Sequence, residues 1–439
     1  MTLRRVATTV AGLLLVLAAV GAGPAGPATA GPPPQYFVDE SKLPFDAVPG
    51  IATDRYWGVH TGAGYRIEVP RDWNGSLVMW AHGFRGDGLE LTVDNHPLRE
   101  FLVANGFAWA ASSFSKNMYD VAQGVQDTHA LTNRFNGIAG TPDRVYLTGA
   151  SMGGHITAVA IEQYPASYVG AMPICGVLGD LELFDFFLDY NLVAAALSGV
   201  EVSFPPDPDQ WVGESVPQIT GTLASAWPAG LTADGEHLKA MTELRSGGER
   251  PLSEAAFLSW ASFLLEFGAL DGTVPRSPGV VVDNTDAVYQ FDTDPQLSAA
   301  EQELNDTVLR VARDPAGRPK PGLANVPVVA GTPPVPVLTL HDLGDLFVPF
   351  SMEQLYTRRV AGNGASDHLV QRAIRGVGHC DFTATELVSG FLDLVAWVEQ
   401  GVRPAGDDVL SEDVVADPDY GCAFTTETRD LGPFTAPCP

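Results

Sequence analysis

The sequence predicts an α/β protein, in which a mostly parallel β-sheet has helices on both faces and one large insertion interrupts it. Short apolar runs alternate with stretches at helical spacing, and a long interval (176–334) then separates two of the predicted sheet strands. With 439 residues, 45% of them hydrophobic, the chain can bury a sizeable core, which excludes an intrinsically disordered protein. We expect one domain that carries an inserted segment.

The first half of the predicted sheet contains four strands. Runs rich in Val, Ile, Phe and Trp predict these strands, and the intervening stretches end at a Gly or at a Thr-Pro turn, as helices do. The predicted strands are 65–69, 77–81, 107–113 and 144–148, and the predicted helices are 97–105 and 120–138. Because strands alternate with helices, the sheet should be parallel and covered on both faces.

The second half begins after Ser151. Apolar side chains at helical spacing predict a helix at 153–164, which Tyr164 and Pro165 end. The remaining predicted strands are 169–175, 335–341 and 368–374, and the remaining helices are 354–361 and 385–400. The last part of the chain has few core-forming runs and is expected to be mostly irregular.

The interval between the sixth and seventh predicted strands is far longer than a crossover needs, so we expect it to form a cap. It contains predicted helices at 253–267 and 298–312, separated by Pro- and Gly-rich joints. Most of its aromatic side chains should pack within the cap, although they could also line an apolar or aromatic acyl pocket. These aromatics are Phe184, Phe186, Phe187, Tyr190, Trp211, Trp227 and Trp260. The expected organisation is a signal peptide (1–30), a core in two parts (31–176 and 331–402), the cap (177–330) and a tail (403–439).

The N-terminus predicts export. Arg4 and Arg5 precede an apolar run (10–20), and the Ala-Thr-Ala at 28–30 offers small residues for cleavage after position 30. The apolar run is shorter than the roughly 20 residues of a membrane-spanning helix. We therefore expect a secreted, extracellular protein with no stable membrane insertion after cleavage.

The charge of the chain bears on its partners. There are 25 Lys and Arg against 53 Asp and Glu, a formal net charge of −28. Such a field repels phosphate backbones and anionic lipid surfaces, so we expect no nucleic-acid partner. The acidity suits solubility outside the cell.

Four cysteines are present: Cys175, Cys380, Cys422 and Cys438. An even count in an exported chain favours disulfides, for which three pairings are possible. A local bridge between Cys422 and Cys438 would tie down the tail, which leaves Cys175 with Cys380. No Cys-x-x-Cys or His-x-x-x-His spacing occurs, so we expect no metal site and no cofactor.

The strongest chemical signal is the Gly-Ala-Ser-Met-Gly at 149–153, between a predicted strand and a predicted helix. A Gly-x-Ser-x-Gly turn holds its serine in strained backbone space, and the small residues on either side let the neighbouring segments approach closely. Ser151 is therefore the candidate nucleophile.

Two backbone N–H groups are candidates for an oxyanion hole. The strand 77–81 runs into a His-Gly-Phe loop at 82–84, and the N–H of Phe84 could act together with that of Met152 at the start of a helix. His82 itself is expected to have a structural role within its own loop.

An acid and a base follow the last two predicted strands. The Gly-Asp-x-x-Val-Pro pattern after the strand 335–341 favours Asp345 as the acid, with Asp342 expected to cap the turn. His379 lies in a Gly-Val-Gly-His-Cys loop, and imidazole can take and return a proton near neutral pH. The order Ser, Asp, His along the chain is one known arrangement of a catalytic triad.

Ser151, Asp345 and His379, each in its motif, resemble the α/β-hydrolase superfamily, with a likeness to secreted serine esterases and lipases, over about 65–400 apart from the cap. This resemblance implies an eight-stranded sheet, with the nucleophile after the fifth strand, the acid after the seventh and the base after the eighth. It also implies a cap after the sixth strand that covers the active site.

The pair His379-Cys380 is similar to the tannase and feruloyl-esterase group, in which a cysteine beside the triad histidine is bridged to one beside the serine. Here Ala150 precedes Ser151, so that bridge cannot form. Cys175 ends the strand next to the nucleophile strand, and a Cys175–Cys380 bridge is the substitute that the resemblance suggests.

The leading functional hypothesis is a secreted serine hydrolase that cleaves carboxylic esters through an acyl-enzyme. An amidase or aminopeptidase is the main alternative, because the same triad serves both leaving groups. A non-catalytic binding protein on this fold is a third hypothesis, against which the intact set of catalytic residue types argues.

Overall fold

The computed structural model describes residues 35–324, 326–427, 429 and 438. The predicted signal peptide lies outside the described residues. The chain divides into residues 1–35, of which only Gln35 is described, and residues 36–439, which hold every element below. None of the described helices combines the length and apolar character that crossing a bilayer requires.

An eight-stranded sheet runs through residues 36–439. Its strands are β1 (Thr53–His60), β2 (Ala63–Pro70), β3 (Ser76–Ala81), β4 (Ala108–Ser112), β5 (Arg144–Ala150), β6 (Gly170–Ile174), β9 (Val337–Asp342) and β10 (Leu369–Ile374). Their spatial order is β1-β2-β4-β3-β5-β6-β9-β10. The pairs β1–β2 and β2–β4 are antiparallel and the other pairs are parallel, so the predicted mostly parallel sheet is confirmed.

β1 is the sheet strand that the sequence analysis did not predict. It lies at the edge of the sheet, and exposed residues alternate with partly buried ones along it. An edge strand in water does not need the continuous apolar run by which the other strands were found.

Helices cover both faces of the sheet, as predicted. Those of the sheet domain are α1 (Arg99–Ala104), α2 (Val121–Ala139), α3 (Met152–Gln163), α10 (Ser351–Gly362) and α11 (Ala384–Gln400). Successive residues of β3 point to opposite faces: Met79 joins a core with α2 and α3, whereas Val78 joins a second core with α1 and α11. Alternate side chains of one buried strand thus contribute to both cores.

The chain between β6 and β9 forms mainly helices. These are α4 (Glu182–Ser198), α5 (Pro208–Gln210), a π-helical turn (Trp211–Ser215), α6 (Val216–Leu223), α7 (Ala233–Ser246), α8 (Ser253–Leu264), a 3₁₀ turn (Leu265–Ala269) and α9 (Ala299–Thr307), with a small hairpin of β7 (Ala224–Ala226) and β8 (Ala229–Leu231). We call this part of the chain the inserted segment. Its buried side chains join the core formed by α2 and α3.

α9 ends at Thr307, five residues earlier than predicted. Beyond it, Val311 is held by Asn284, whose backbone N–H donates to the Val311 carbonyl at 3.0 Å and whose side-chain oxygen accepts the Val311 N–H at 2.6 Å. Long-range hydrogen bonds therefore replace the helical ones that local spacing predicts.

The described part of the tail contains one short helix, α12 (Glu412–Val415). It packs on the sheet domain, where Val409, Val415 and Tyr420 join a small core with Phe350. Disulfides join Cys422 to Cys438 and Cys175 to Cys380, the two pairs that the sequence favoured.

Candidate active site

Ser151 lies between β5 and α3, with φ 58° and ψ −122°. Positive φ is strained for a residue with a side chain, so the surroundings must enforce it. A Cβ on Gly149 would lie 2.3 Å from the carbonyl oxygen of Gly153, and a Cβ on Gly153 would lie 2.0 Å from that of Ala81. The two glycines of the motif are thus required by close backbone contacts that present Ser151 at the carboxyl end of the sheet.

Two neighbouring segments fix the position of Ser151. Its backbone N–H donates to the carbonyl of Ile174 at the end of β6, at 3.0 Å. On another side, a Cβ on Gly83 would lie 3.2 Å from the Ser151 Cβ and 3.7 Å from its Oγ. The loop after β3 therefore passes directly beside the serine.

Asp345 and His379 are brought together from the loops after β9 and β10. The Asp345 Oδ2 lies 2.5 Å from His379 Nδ1, and Oδ1 accepts the N–H groups of Phe347 at 2.9 Å and Val348 at 3.0 Å. Asp345 is fully buried, and the His379 side chain is 16% exposed. This carboxylate can orient the imidazole with Nδ1 protonated, so that the lone pair of Nε2 can act as a base.

Asp342, the last residue of β9, does not cap its own turn as expected. Its Oδ2 instead accepts the N–H of Asp381, two residues beyond His379, at 2.8 Å. Its Oδ1 is buried without a partner among the described residues. Burial, and then the nearby charge of Asp345, raise the pKa of Asp342 well above its usual value. The side chain thus joins the acid loop to the histidine loop.

The two candidate oxyanion donors are neighbours of Ser151 in the chain or of Gly83, which lies beside it. Met152 is the first residue of α3, where backbone N–H groups have no partner within the helix. Phe84 follows Gly83, and its side chain is 45% exposed. Within the part of the chain that the structure describes, no hydrogen bond occupies the N–H of either residue.

His82 has the structural role predicted for it. Its ring stacks on Phe114 with centroids 4.0 Å apart, and its Nδ1 lies 2.7 Å from the carbonyl oxygen of Gly83. Burial, and then the charge of Arg85, lower the pKa of His82 to about 3. The ring is therefore neutral.

The Cys175–Cys380 disulfide adjoins the candidate base. Cys380 follows His379, and its Sγ lies 3.5 Å from His379 Nε2. Cys175 is buried at the end of β6, and its N–H donates to the Leu340 carbonyl in β9 at 2.7 Å. Although His379 and the two sulfurs are grouped closely enough for a metal, a disulfide offers no thiolate ligand.

A group of aromatic rings, which we call the aromatic wall, lies next to His379. Its members are Phe187, Trp260, Phe263, Phe267 and Phe347. The ring centroids of Phe347 and His379 are 5.0 Å apart, and Phe187 stacks on Phe267 at 4.1 Å. All except Phe187 are partly exposed. The wall therefore presents accessible aromatic surface beside the imidazole.

The structure separates the aromatics that the sequence analysis grouped together. Phe186, Tyr190 and Trp211 are buried and pack within the inserted segment, as expected for most of the set. Trp260 instead reaches the loop of His379. The sequence analysis missed Phe263, Phe267 and Phe347, although the spacing of the first two from Trp260 on a predicted helix was a usable signal.

The order of these residues along the chain identifies the fold. Ser151 follows the fifth strand of the sheet, Asp345 the seventh and His379 the eighth, and the inserted segment follows the sixth. The chain has the α/β-hydrolase fold. The strand order and the strand-to-helix turn at the serine are those of α/β-hydrolases.

Three known proteins similar to this chain are named as an amidase or as esterases. The o-phthalyl amidase of Xanthobacter agilis is 24% identical over 415 residues, covering 80% of this chain and 89% of the amidase. Feruloyl esterase B from Aspergillus oryzae has a TM-score of 0.48 at 16% identity, over 86% of this chain and 87% of that one. An esterase from Aspergillus oryzae has a TM-score of 0.45 at 14% identity, over 80% and 81%. No protein-family model matches the chain.

Proposed function

We propose that this protein is a secreted serine hydrolase that cleaves carboxylic esters with Ser151, His379 and Asp345. The observation that carries the proposal is the 2.5 Å contact between Asp345 and His379, at the carboxyl end of the sheet, where the strained turn presents Ser151. A buried carboxylate bonded to Nδ1 is what an imidazole base requires.

The reaction proceeds through an acyl-enzyme. His379 Nε2 takes the proton of Ser151 Oγ as Oγ attacks the ester carbonyl carbon, and the carbonyl π electrons move to the oxygen. When the tetrahedral intermediate collapses, the bond to the alcohol breaks and His379 returns the proton to the departing alkoxide. Water then attacks the acyl carbon as His379 takes its proton. The bond from that carbon to Ser151 Oγ breaks, His379 returns the proton to Oγ, and the acid is released, while Asp345 orients His379 throughout.

The negative oxygen of the intermediate is stabilised by the N–H groups of Phe84 and Met152. The N-terminus of α3 adds its partial positive charge at Met152. Loss of one such donor typically costs about 3 kcal/mol of transition-state stabilisation.

The aromatic wall favours a substrate with a flat apolar group close to the scissile bond. Phe347 contacts the His379 ring and lies among partly exposed aromatic side chains of the inserted segment. An aryl group stacked there gains roughly 0.5 to 1.5 kcal/mol beyond its burial. We propose that the inserted segment acts as the cap (177–330) of this site.

Amide hydrolysis is the second candidate, because the amidase of Xanthobacter agilis is a relative over most of the chain. The same nucleophile, base and oxyanion donors act on amides, with His379 donating its proton to the leaving nitrogen. An amine is a poorer leaving group than an alcohol and depends more on this proton. Hydrolysis of anilides that match the ester substrates therefore tests the amidase candidate directly.

Export agrees with the two disulfides. Cysteine bridges persist in oxidising compartments, and both described bridges form in the expected pairs. Together with the predicted signal peptide, they support an extracellular location.

The test compares wild type with S151A, each isolated as exported protein. The substrates are p-nitrophenyl esters from acetate to palmitate, p-nitrophenyl benzoate and matched anilides. S167A is the control, because Ser167 lies beyond the other end of α3. We expect ester turnover in wild type and S167A and none in S151A.

Each other outcome changes the conclusion. Equal turnover by S151A would overturn the proposed nucleophile. Turnover of anilides alone would establish the amidase candidate. No turnover by wild type, with ligand binding unaffected in S151A, would support a binding protein on this fold.

A further inference from the structure

Two side chains of the inserted segment contact the loops that carry the acid and the base. Arg250 Nε donates to the carbonyl of Leu343 at 2.8 Å, and Trp260 Nε1 donates to the carbonyl of Val377 at 2.7 Å. Leu343 lies two residues before Asp345, and Val377 lies two residues before His379. The inserted segment thus contacts each of the two loops at the residue two positions before its candidate catalytic side chain.

We propose that Arg250 and Trp260 are positioning residues that align Asp345 with His379, so that the inserted segment is part of the catalytic apparatus as well as a cover. This inference rests on the proposed role of the triad. It predicts that losing either contact slows the chemical step without weakening substrate binding.

The side chain of Arg250 is buried between the inserted segment and the loop that carries Asp345. It is 4% exposed, and its two terminal nitrogens donate to the Gly248 carbonyl at 2.7 Å and to Ser246 Oγ at 2.9 Å. These acceptors are neutral, and no ion pair of Arg250 occurs among the described residues. Its charge is instead stabilised from a distance by Glu243 and Asp345, against the cost of burial.

Trp260 holds a loop that has little conformational preference of its own. Val377 lies between Gly376 and Gly378, and glycine restricts its backbone less than any other residue. Beyond these glycines, His379 is held by Asp345 and by the disulfide at Cys380. The indole N–H of Trp260 holds the chain two residues before His379, whereas the disulfide holds it one residue after His379.

The first test compares W260F with W211F. Both changes remove an indole N–H that donates to a carbonyl at 2.7 Å, but Trp211 donates to Leu265 inside the inserted segment. With ethyl acetate, which has no ring for the wall, we expect W260F to lower kcat about tenfold with KM within about twofold, since small misplacements of catalytic groups are costly. W211F should lower thermal stability and leave kcat of the folded protein near that of wild type.

The second test compares R250Q with R245Q, which breaks the ion pair of Arg245 with Asp189 away from both loops. We expect R250Q to lower kcat about tenfold with KM within about twofold, R250K to recover part of that loss, and R245Q to leave kcat of the folded protein near that of wild type. If R250Q does not fold, the comparison of W260F with W211F tests the positioning role by itself.

The outcomes separate this inference from the proposed function. Turnover that depends on Ser151, with W260F matching W211F in kcat or changing only KM, would overturn the positioning role alone. Absence of any Ser151-dependent turnover in wild type would overturn the proposed function itself.

Discussion

Cys380, the residue after His379, is covalently joined to Cys175 at the end of β6. The neighbour of Cys175, Ile174, accepts the backbone N–H of Ser151 at 3.0 Å. One disulfide and one hydrogen bond therefore connect the base loop to the nucleophile turn. Since no cysteine adjoins Ser151 in the sequence, this link takes a different route from the bridge of the tannase and feruloyl-esterase group.

This bridge should matter for both stability and turnover. The double variant C175A/C380A opens a loop with a sequence separation of 205, which corresponds to about 5 kcal/mol in the chain-entropy model. We expect a lower Tm and at least about a tenfold loss of kcat, measured at a temperature where the variant is folded. The matched variant C422A/C438A opens a separation of 16 and should lose stability but keep kcat. Equal kcat in both variants would contradict the positional role.

Replacing the acid tests the orientation of the imidazole. In D345N the amide cannot stabilise the imidazolium and favours the wrong tautomer, so kcat should fall by about 10³-fold or more. D381N is the control, because the Asp381 side chain is exposed on the same loop and lies 3.8 Å from Arg429. Similar rates for D345N and wild type would transfer the acid role to another carboxylate.

Asp342 should make stability depend on pH. Its pKa is raised in the folded state, so the fold retains a proton that the unfolded chain releases above about pH 4. Wild type then loses up to about 1.4 kcal/mol of stability per pH unit as pH rises through that window. D342N mimics the protonated acid, so its Tm should rise relative to wild type as the pH rises above about 4.

Thermal unfolding at several pH values checks this prediction. The control D209N changes an exposed aspartate of the inserted segment and should give a difference from wild type that hardly changes with pH. A constant offset for D342N as well would mean that Asp342 is ionised in the fold.

The aromatic wall should set the preference for aryl substrates. In F347L the ring beside His379 is lost while apolar volume is kept. We expect kcat/KM for p-nitrophenyl benzoate to fall about threefold to tenfold relative to the butyrate ester. F291L makes the same change in the inserted segment, where Phe291 stacks on His237, and should leave that ratio unchanged. A ratio unaffected by F347L would remove the wall from substrate recognition.

Local patterns were sufficient for much of this architecture, and the exceptions are informative. The strand, turn and helix around Ser151 could be predicted because the two glycines and the periodicity all act within a few residues. β1 was missed because its edge position removes the need for an apolar run. α9 was predicted too long because Asn284, distant in sequence, takes the hydrogen bonds of Val311.

The sequence by itself determined the fold class, the two disulfide pairs it favoured and the candidates Ser151, Asp345 and His379, because each depends on short motifs and on their order along the chain. Only the tertiary structure decided that Asp342 reaches the histidine loop, that Phe347 adjoins His379 and that Arg250 and Trp260 contact the loops of Asp345 and His379. These contacts join segments far apart in the chain, and their partners are mostly backbone groups, which carry no signature in the identity of a residue.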